Sequence, residues 1–141
     1  MKRAIAPLAA VILSAGIAQA QDTREAVNAE ITAMFGAVPT FMDQVADAAV
    51  VALWRQTRSL NFSDDTALDP KTKALVSLAV GAQIPCQYCV WMDTHAARKL
   101  GATDQEIAEA VAIAGLTRGM STTFYGLQVD FDLLKSELGG P

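Results

Sequence analysis

The chain has 141 residues, of which 52% are hydrophobic and few are aromatic, and its formal net charge at pH 7 is −4. An acidic chain without a run of basic residues argues against binding to nucleic acid or to an anionic membrane surface. The length is enough for one domain, and the hydrophobic, alanine-rich composition suits closely packed helices.

The first twenty residues predict a secretory signal peptide. Lys2 and Arg3 supply a positive start, an apolar run follows from Ala4 to Ile17, and residues 18–20 (Ala-Gln-Ala) match a cleavage site. The alternative is a membrane anchor, but spanning about 30 Å of hydrocarbon needs roughly 20 apolar residues. We therefore expect cleavage, export to a bacterial periplasm, and one unanchored mature domain over residues 21–141.

The first half of the mature chain predicts two helices. Apolar residues at helical spacing predict a helix over residues 21–36, with Gly36 as its stop signal. Thr40 is a predicted N-cap, and the apolar stripe after it predicts a second helix to about Ser59. The polar stretch 61–68 predicts a loop.

The second half predicts four more helices. Asp69 and Pro70 are typical of a helix start, Pro85 separates the third helix from the fourth, and a capping box opens the fifth at Thr103. No useful stretch alternates as a β-strand does, so the fold class is all-α with about six helices. The predicted ranges are 71–83, 86–100, about 104–117 and about 121–138, with a weak point at Gly126.

Two cysteines, Cys86 and Cys89, are the strongest functional signal. Their spacing places them on one helix face, and Pro85 favours a helix N-terminus at Cys86, where free N–H groups and the helix dipole stabilise a thiolate. A bridge across two residues closes a very small loop and stabilises a fold little. In an oxidising compartment the pair therefore predicts thiol–disulfide exchange.

Two other interpretations of the pair remain open, namely an inert structural disulfide and a metal site. Zinc sites usually combine such a pair with a second one, which is absent, so we expect neither a metal nor a cofactor. At about 100° per residue, Asp93 lies roughly 40° from Cys89 and His95 roughly 240°. Asp93 is thus a candidate proton acceptor or a solvated aspartate, whereas His95 is predicted to be a surface histidine.

Several segments of the chain carry a combined pattern, namely residues 68–73, 79–89, 101–107, 117–122 and 126–130. Together they resemble the carboxymuconolactone decarboxylase-like family, specifically its alkylhydroperoxidase D (AhpD-like) branch, and the resemblance covers about residues 25–135. It implies an all-α fold assembled into trimers or hexamers, and peroxiredoxin-type peroxidase or disulfide reductase chemistry at the cysteines. The implied partners are a small peroxide or disulfide substrate and a thiol electron donor.

Which of the two cysteines attacks the substrate first stays open at this point. The resemblance implies that Cys89 is the nucleophile toward peroxide and that Cys86 is its partner. The helix-dipole argument instead favours Cys86 as the thiol of lower pKa.

The chain departs from the family pattern at two positions. The active motif has a glutamate twelve residues before the first cysteine and a histidine four residues after the second, where this chain has Ala74 and Asp93. The side chain of alanine cannot carry a proton, and aspartate is a weak base toward a thiol.

We expect a thiol–disulfide oxidoreductase with possible alkyl hydroperoxide reductase activity. The alternative is an inactive scaffold with a static disulfide, and a decarboxylase is least favoured because that branch usually lacks the cysteine pair.

Overall fold

The computed structural model describes residues 22–139 and confirms the all-α class, because this part of the chain contains helices and no β-strand. The chain divides into two compact units between Ser63 and Asp64. Besides a short 3-10 helix at Thr40–Gln44, the six α-helices are α1 (Arg24–Phe35), α2 (Asp47–Asn61), α3 (Pro70–Gln83), α4 (Gln87–Lys99), α5 (Asp104–Gly126) and α6 (Phe131–Glu137).

The first unit is built by α1 and α2 around a small apolar core. Thr23 caps α1, and Gly36 ends it with a φ of 86°, which favours glycine. Glu30 joins the two helices at the edge of the core, since it accepts hydrogen bonds from the indole of Trp54 and from Arg55 and Arg58. The core residues are Val27, Ile31, Met42, Val50 and Trp54.

The predicted second helix is wrong at its start. The segment from Thr40 forms a 3-10 helix, and Val45 and Ala46 have ψ angles of 129° and 139°, so α2 begins at Asp47. The cause is a long-range contact: the guanidinium of Arg24 donates to the carbonyl oxygens of Met42 and Val45 and pairs with Asp47. These hydrogen bonds offer the backbone an alternative to a continuous helix.

The second unit packs α3, α4 and α5 against one another. Asp69 caps α3 by accepting the N–H of Thr72 at 3.0 Å, and Pro70 occupies its first turn, as predicted. The buried residues Ala74, Ala97 and Ala102 form an alanine cluster between α3, α4 and the start of α5. Small side chains let these helices approach closely.

The two C-terminal helices were predicted with a break near residues 117–121, and this prediction is wrong. Residues 104–126 form one continuous helix, and it ends at Gly126, the residue where the sequence predicts a weak point. Thr122 and Thr123 do not cap a new helix, because their hydroxyls donate to the carbonyls of Arg118 and Gly119 one turn back.

A charged cluster fastens the start of α5 to α3. Thr103 and Glu106 form the predicted capping box, and Lys71 of α3 donates to the Glu106 carboxylate at 2.7 Å. The hydrogen bond from Lys71, followed by those from Thr103, lowers the pKa of Glu106 to about 2. Glu106 is therefore ionised in the folded protein at pH values where an unfolded glutamate is already protonated.

This shift predicts acid-dependent stability. Because the folded pKa of Glu106 lies below the unfolded value, its contribution is complete above about pH 4.5 and is lost as pH falls toward 2. Urea unfolding at pH 5 and at pH 2.5 measures this loss. We expect Glu106→Gln to lose less stability over this interval than the wild type, whereas Glu109→Gln on the same helix behaves like the wild type. An equal loss in Glu106→Gln contradicts the prediction.

None of the helices between residues 22 and 139 is both long enough and apolar enough to cross a lipid bilayer. The predicted signal peptide lies outside the described residues and stays a prediction.

Candidate redox site

The cysteine pair lies at the start of α4, directly after the short connection from α3. The Sγ atoms of Cys86 and Cys89 are at bonding distance, 2.08 Å, and the two Cα atoms are 5.3 Å apart. Cys86 is the N-cap of α4, and its Sγ accepts a hydrogen bond from the backbone N–H of Cys89 at 3.2 Å. The pair therefore sits at a helix N-terminus, where N–H groups and the dipole favour negative charge on sulfur.

Local sequence explains why α4 begins there. Ile84 ends α3, Pro85 follows it, and the N–H of Cys86 donates back to the carbonyl of Gly81 at 3.0 Å. A Cβ atom on Gly81 would lie 3.1 Å from the Cβ of Cys89, closer than side chains normally pack. The glycine thus allows the first turn of α4 to rest directly on α3.

The cysteine pair is only partly buried. Cys86 and Cys89 are half-buried, while Pro85, Gln87 and Tyr88 around them are exposed, Tyr88 by 73%. Neither cysteine belongs to the buried core. Disulfide exchange needs a pair that is not fully buried, because the incoming sulfur must reach the attacking thiolate.

Asp93 lies one turn beyond Cys89 on the same face of α4, as its spacing predicted. The carboxyl is half-buried, and this burial raises its pKa above the usual value for aspartate. A raised pKa brings the group closer to the range in which it exchanges protons with a thiol.

Ala74, at the position of the family's glutamate, belongs to the alanine cluster and is 7% exposed. Gly81 meets Cys89 and Ala74 meets Ala97, so α3 and α4 run antiparallel, with Asp93 between these two contacts. The structure therefore places an apolar contact where the family has a carboxylate.

His95 is exposed and stacks on Trp91, with ring centroids 5.5 Å apart and an angle of 4° between the planes. This stack stands on the side of α4 away from Cys89. In the described part of the chain, no group of three or more His, Cys, Asp or Glu side chains is arranged to hold a metal ion.

A groove along α4 was missed by sequence reasoning. It has a volume of about 580 Å³ and runs along α4 past the Trp91–His95 stack to Arg98. The spacing of its α4 residues follows one helix face, which the sequence contains. The concave shape arises from packing against Ala82 and Pro85, and no local pattern signals it.

The described part of the chain is thus that of an all-helical protein with a C-x-x-C pair at disulfide distance on a helix N-terminus. Residues 48–130 match the model of the carboxymuconolactone decarboxylase family, which is more than half of the chain, and the chain belongs to this family. The family resemblance inferred from the sequence is confirmed.

Two relatives place the chain further. The crystal structure of the alkylhydroperoxidase AhpD core from Rhodospirillum rubrum superimposes with a TM-score of 0.69 at 29% identity, covering 91% of this chain and 97% of that one. The fold is thus AhpD-like. A protein of Paracoccus denitrificans, described as uncharacterized protein 4 in the cox locus, is 39% identical over 54 residues, or 38% of this chain. The match spans 49% of that protein's length, so the chain corresponds to about half of it.

Proposed function

We propose that this protein is an exported AhpD-like thiol–disulfide oxidoreductase that cycles Cys86 and Cys89 between dithiol and disulfide. The observation that carries the proposal is the sulfur pair at bonding distance on a partly exposed helix N-terminus, with Cys86 Sγ accepting the N–H of Cys89. A pair that serves only to hold the fold has little reason to occupy this place, because it closes a very small loop.

In the reduced protein, the Cys86 thiolate attacks one sulfur of a substrate disulfide and expels the other sulfur as a thiolate. Cys89 then loses its proton and attacks Cys86, which releases the second substrate thiolate and closes the Cys86–Cys89 bond. The substrate gains two electrons and, on protonation, two protons. A small dithiol donor reverses these steps on the protein and becomes a disulfide itself.

Hydroperoxide reduction is the finer form of this proposal. A thiolate attacks the terminal peroxide oxygen, an alcohol leaves after taking up a proton, and the sulfenic acid condenses with the second thiol to give the disulfide and water. We propose that Asp93, whose pKa is raised by burial, accepts the proton from Cys89. Ala74 cannot assist it, so we propose slow peroxide turnover and faster disulfide exchange.

The buried, apolar setting of Ala74 favours a second candidate function, a helical scaffold that retains a static disulfide.

Assembly into trimers or hexamers stays a prediction of the family resemblance. It is supported by the large apolar side chains that α5 exposes in this chain, among them Ile113, Leu116 and Tyr125. Export to the periplasm rests on the signal-peptide pattern.

Titration of the pair against dithiothreitol distinguishes the two candidates. The proposal predicts reversible reduction, followed by rapid alkylation of both thiols by iodoacetamide, with mass spectrometry as the readout. A static bridge predicts that the pair stays oxidised under conditions that reduce an exposed disulfide in a reference peptide. Reversible reduction without any turnover of a disulfide substrate would remove the enzyme and leave the scaffold.

A further inference from the structure

The groove along α4 has the shape and chemistry of a ligand site. Its α4 side is one continuous stripe at helical spacing, whose members are Gln87, Val90, Trp91, Thr94, His95 and Arg98. From Gln87 to Arg98 the stripe spans twelve residues and therefore roughly 16 Å along the helix axis. Ala82 and Pro85 close the opposite side at the end nearer the cysteines.

The body of the groove is apolar and has an aromatic wall. Trp91 is 69% exposed, which is unusual for a tryptophan held in a fixed stack, and its ring lies parallel to that of His95. Together with Val90 and Pro85 these rings offer a flat surface to an apolar chain or ring. The surface is exposed in this chain and is preorganised by the stack.

The far end of the groove is cationic. Arg98 is exposed there, and none of the side chains that line this groove in the described structure is acidic, although the chain as a whole carries a net charge of −4. Nε and Nη2 of Arg98 donate to Asp104, which lies outside the groove, and a guanidinium has five N–H donors. Arg98 therefore has further N–H groups with which it can donate hydrogen bonds to the carboxylate of a ligand at this end.

The near end of the groove lies at the start of α4, where Pro85 and Gln87 line it. A ligand whose anionic head lies at Arg98 and whose apolar body lies on Trp91 therefore extends its other end along α4 toward the first turn of the helix.

We propose that this groove binds amphipathic carboxylates, molecules with an apolar body and a single carboxylate head. That such a molecule is also the peroxide or disulfide substrate rests on the proposed function, whereas its binding does not. The groove selects by charge at Arg98 and by apolar contact at Trp91.

Isothermal titration of the full mature chain in its disulfide form tests the site without any turnover. The probes are octanoate, 1-octanol and octylamine, which share one chain length and differ in the head group. We expect saturable binding of octanoate, weaker binding of 1-octanol and weakest binding of octylamine. Arg98→Gln should weaken octanoate binding by about three- to tenfold and remove the preference over 1-octanol, whereas Trp91→Ala should weaken both.

Two further variants sharpen the result. Lys99→Gln removes the same charge from the next position of α4, outside the groove, and should leave binding unchanged. Asp104→Asn releases Arg98 from its ion pair and should tighten octanoate binding by up to about fivefold. Absence of saturable octanoate binding, equal binding of 1-octanol, or an equal effect of Arg98→Gln and Lys99→Gln overturns the proposal. A protein that binds octanoate but fails the dithiothreitol titration retains this site and loses the proposed function.

Discussion

Serine in place of either cysteine is expected to abolish turnover, and the two variants should stop at different steps. With Cys89→Ser, Cys86 still attacks but nothing resolves the mixed disulfide, so the adduct accumulates. With Cys86→Ser, the sulfur capped by the Cys89 N–H is missing and no adduct forms quickly. We expect a fall in rate of about 10³-fold or more in both variants, as for other lost nucleophiles.

The aromatic disulfide of 5-thio-2-nitrobenzoate gives a direct readout. The reduced wild type should release two thiolates per chain and close its own disulfide, whereas Cys89→Ser should release one and retain one adduct by intact mass. The oxidised wild type is the control and should release none. Unchanged activity in both variants removes the enzyme hypothesis, and an adduct confined to Cys86→Ser assigns the first attack to Cys89.

Much of the fold could be predicted because its signals are local. Asp69 with Pro70, and Thr103 with Glu106, are short-range hydrogen-bonding patterns, and both cap helices in the structure as the sequence indicated. The start of α2 could not be predicted, because it depends on Arg24, which lies more than fifteen residues earlier and takes the carbonyls that a longer helix would use.

In the candidate site, too, some features follow from local sequence and others depend on long-range packing. The placement of Cys86 at a helix N-terminus follows from Pro85 and the spacing, which act within one turn. The burial of Asp93, the contact of Gly81 with Cys89 and the groove beside Trp91 follow from how α4 lies on its neighbours. Sequence spacing gives the face on which a residue lies, but not the depth or shape that a second helix creates around it.

Restoring the glutamate and histidine of the family's active motif requires a substitution within the alanine cluster, at Ala74. Ala74→Glu alone places a carboxylate into an apolar contact with Ala97 and Ala102, near the half-buried Asp93. We expect it to destabilise the fold by about 2–4 kcal/mol through desolvation, overpacking and like-charge repulsion. Adding Asp93→His replaces the repelling carboxylate with a group that can pair with the glutamate, and should recover part of that stability.

The double variant Ala74→Glu/Asp93→His should then reduce hydroperoxide about 10²-fold faster than the wild type, since positioned acid–base groups contribute about 10²–10⁴-fold. The rate is measured as peroxide consumed with dithiothreitol as donor, and thermal unfolding confirms that the variants are folded. Ala74→Gln/Asp93→His is the matched control, because glutamine has nearly the same shape but carries no exchangeable acid proton. If the folded double variant is no faster than this control, the slow turnover has a cause other than the missing glutamate and histidine.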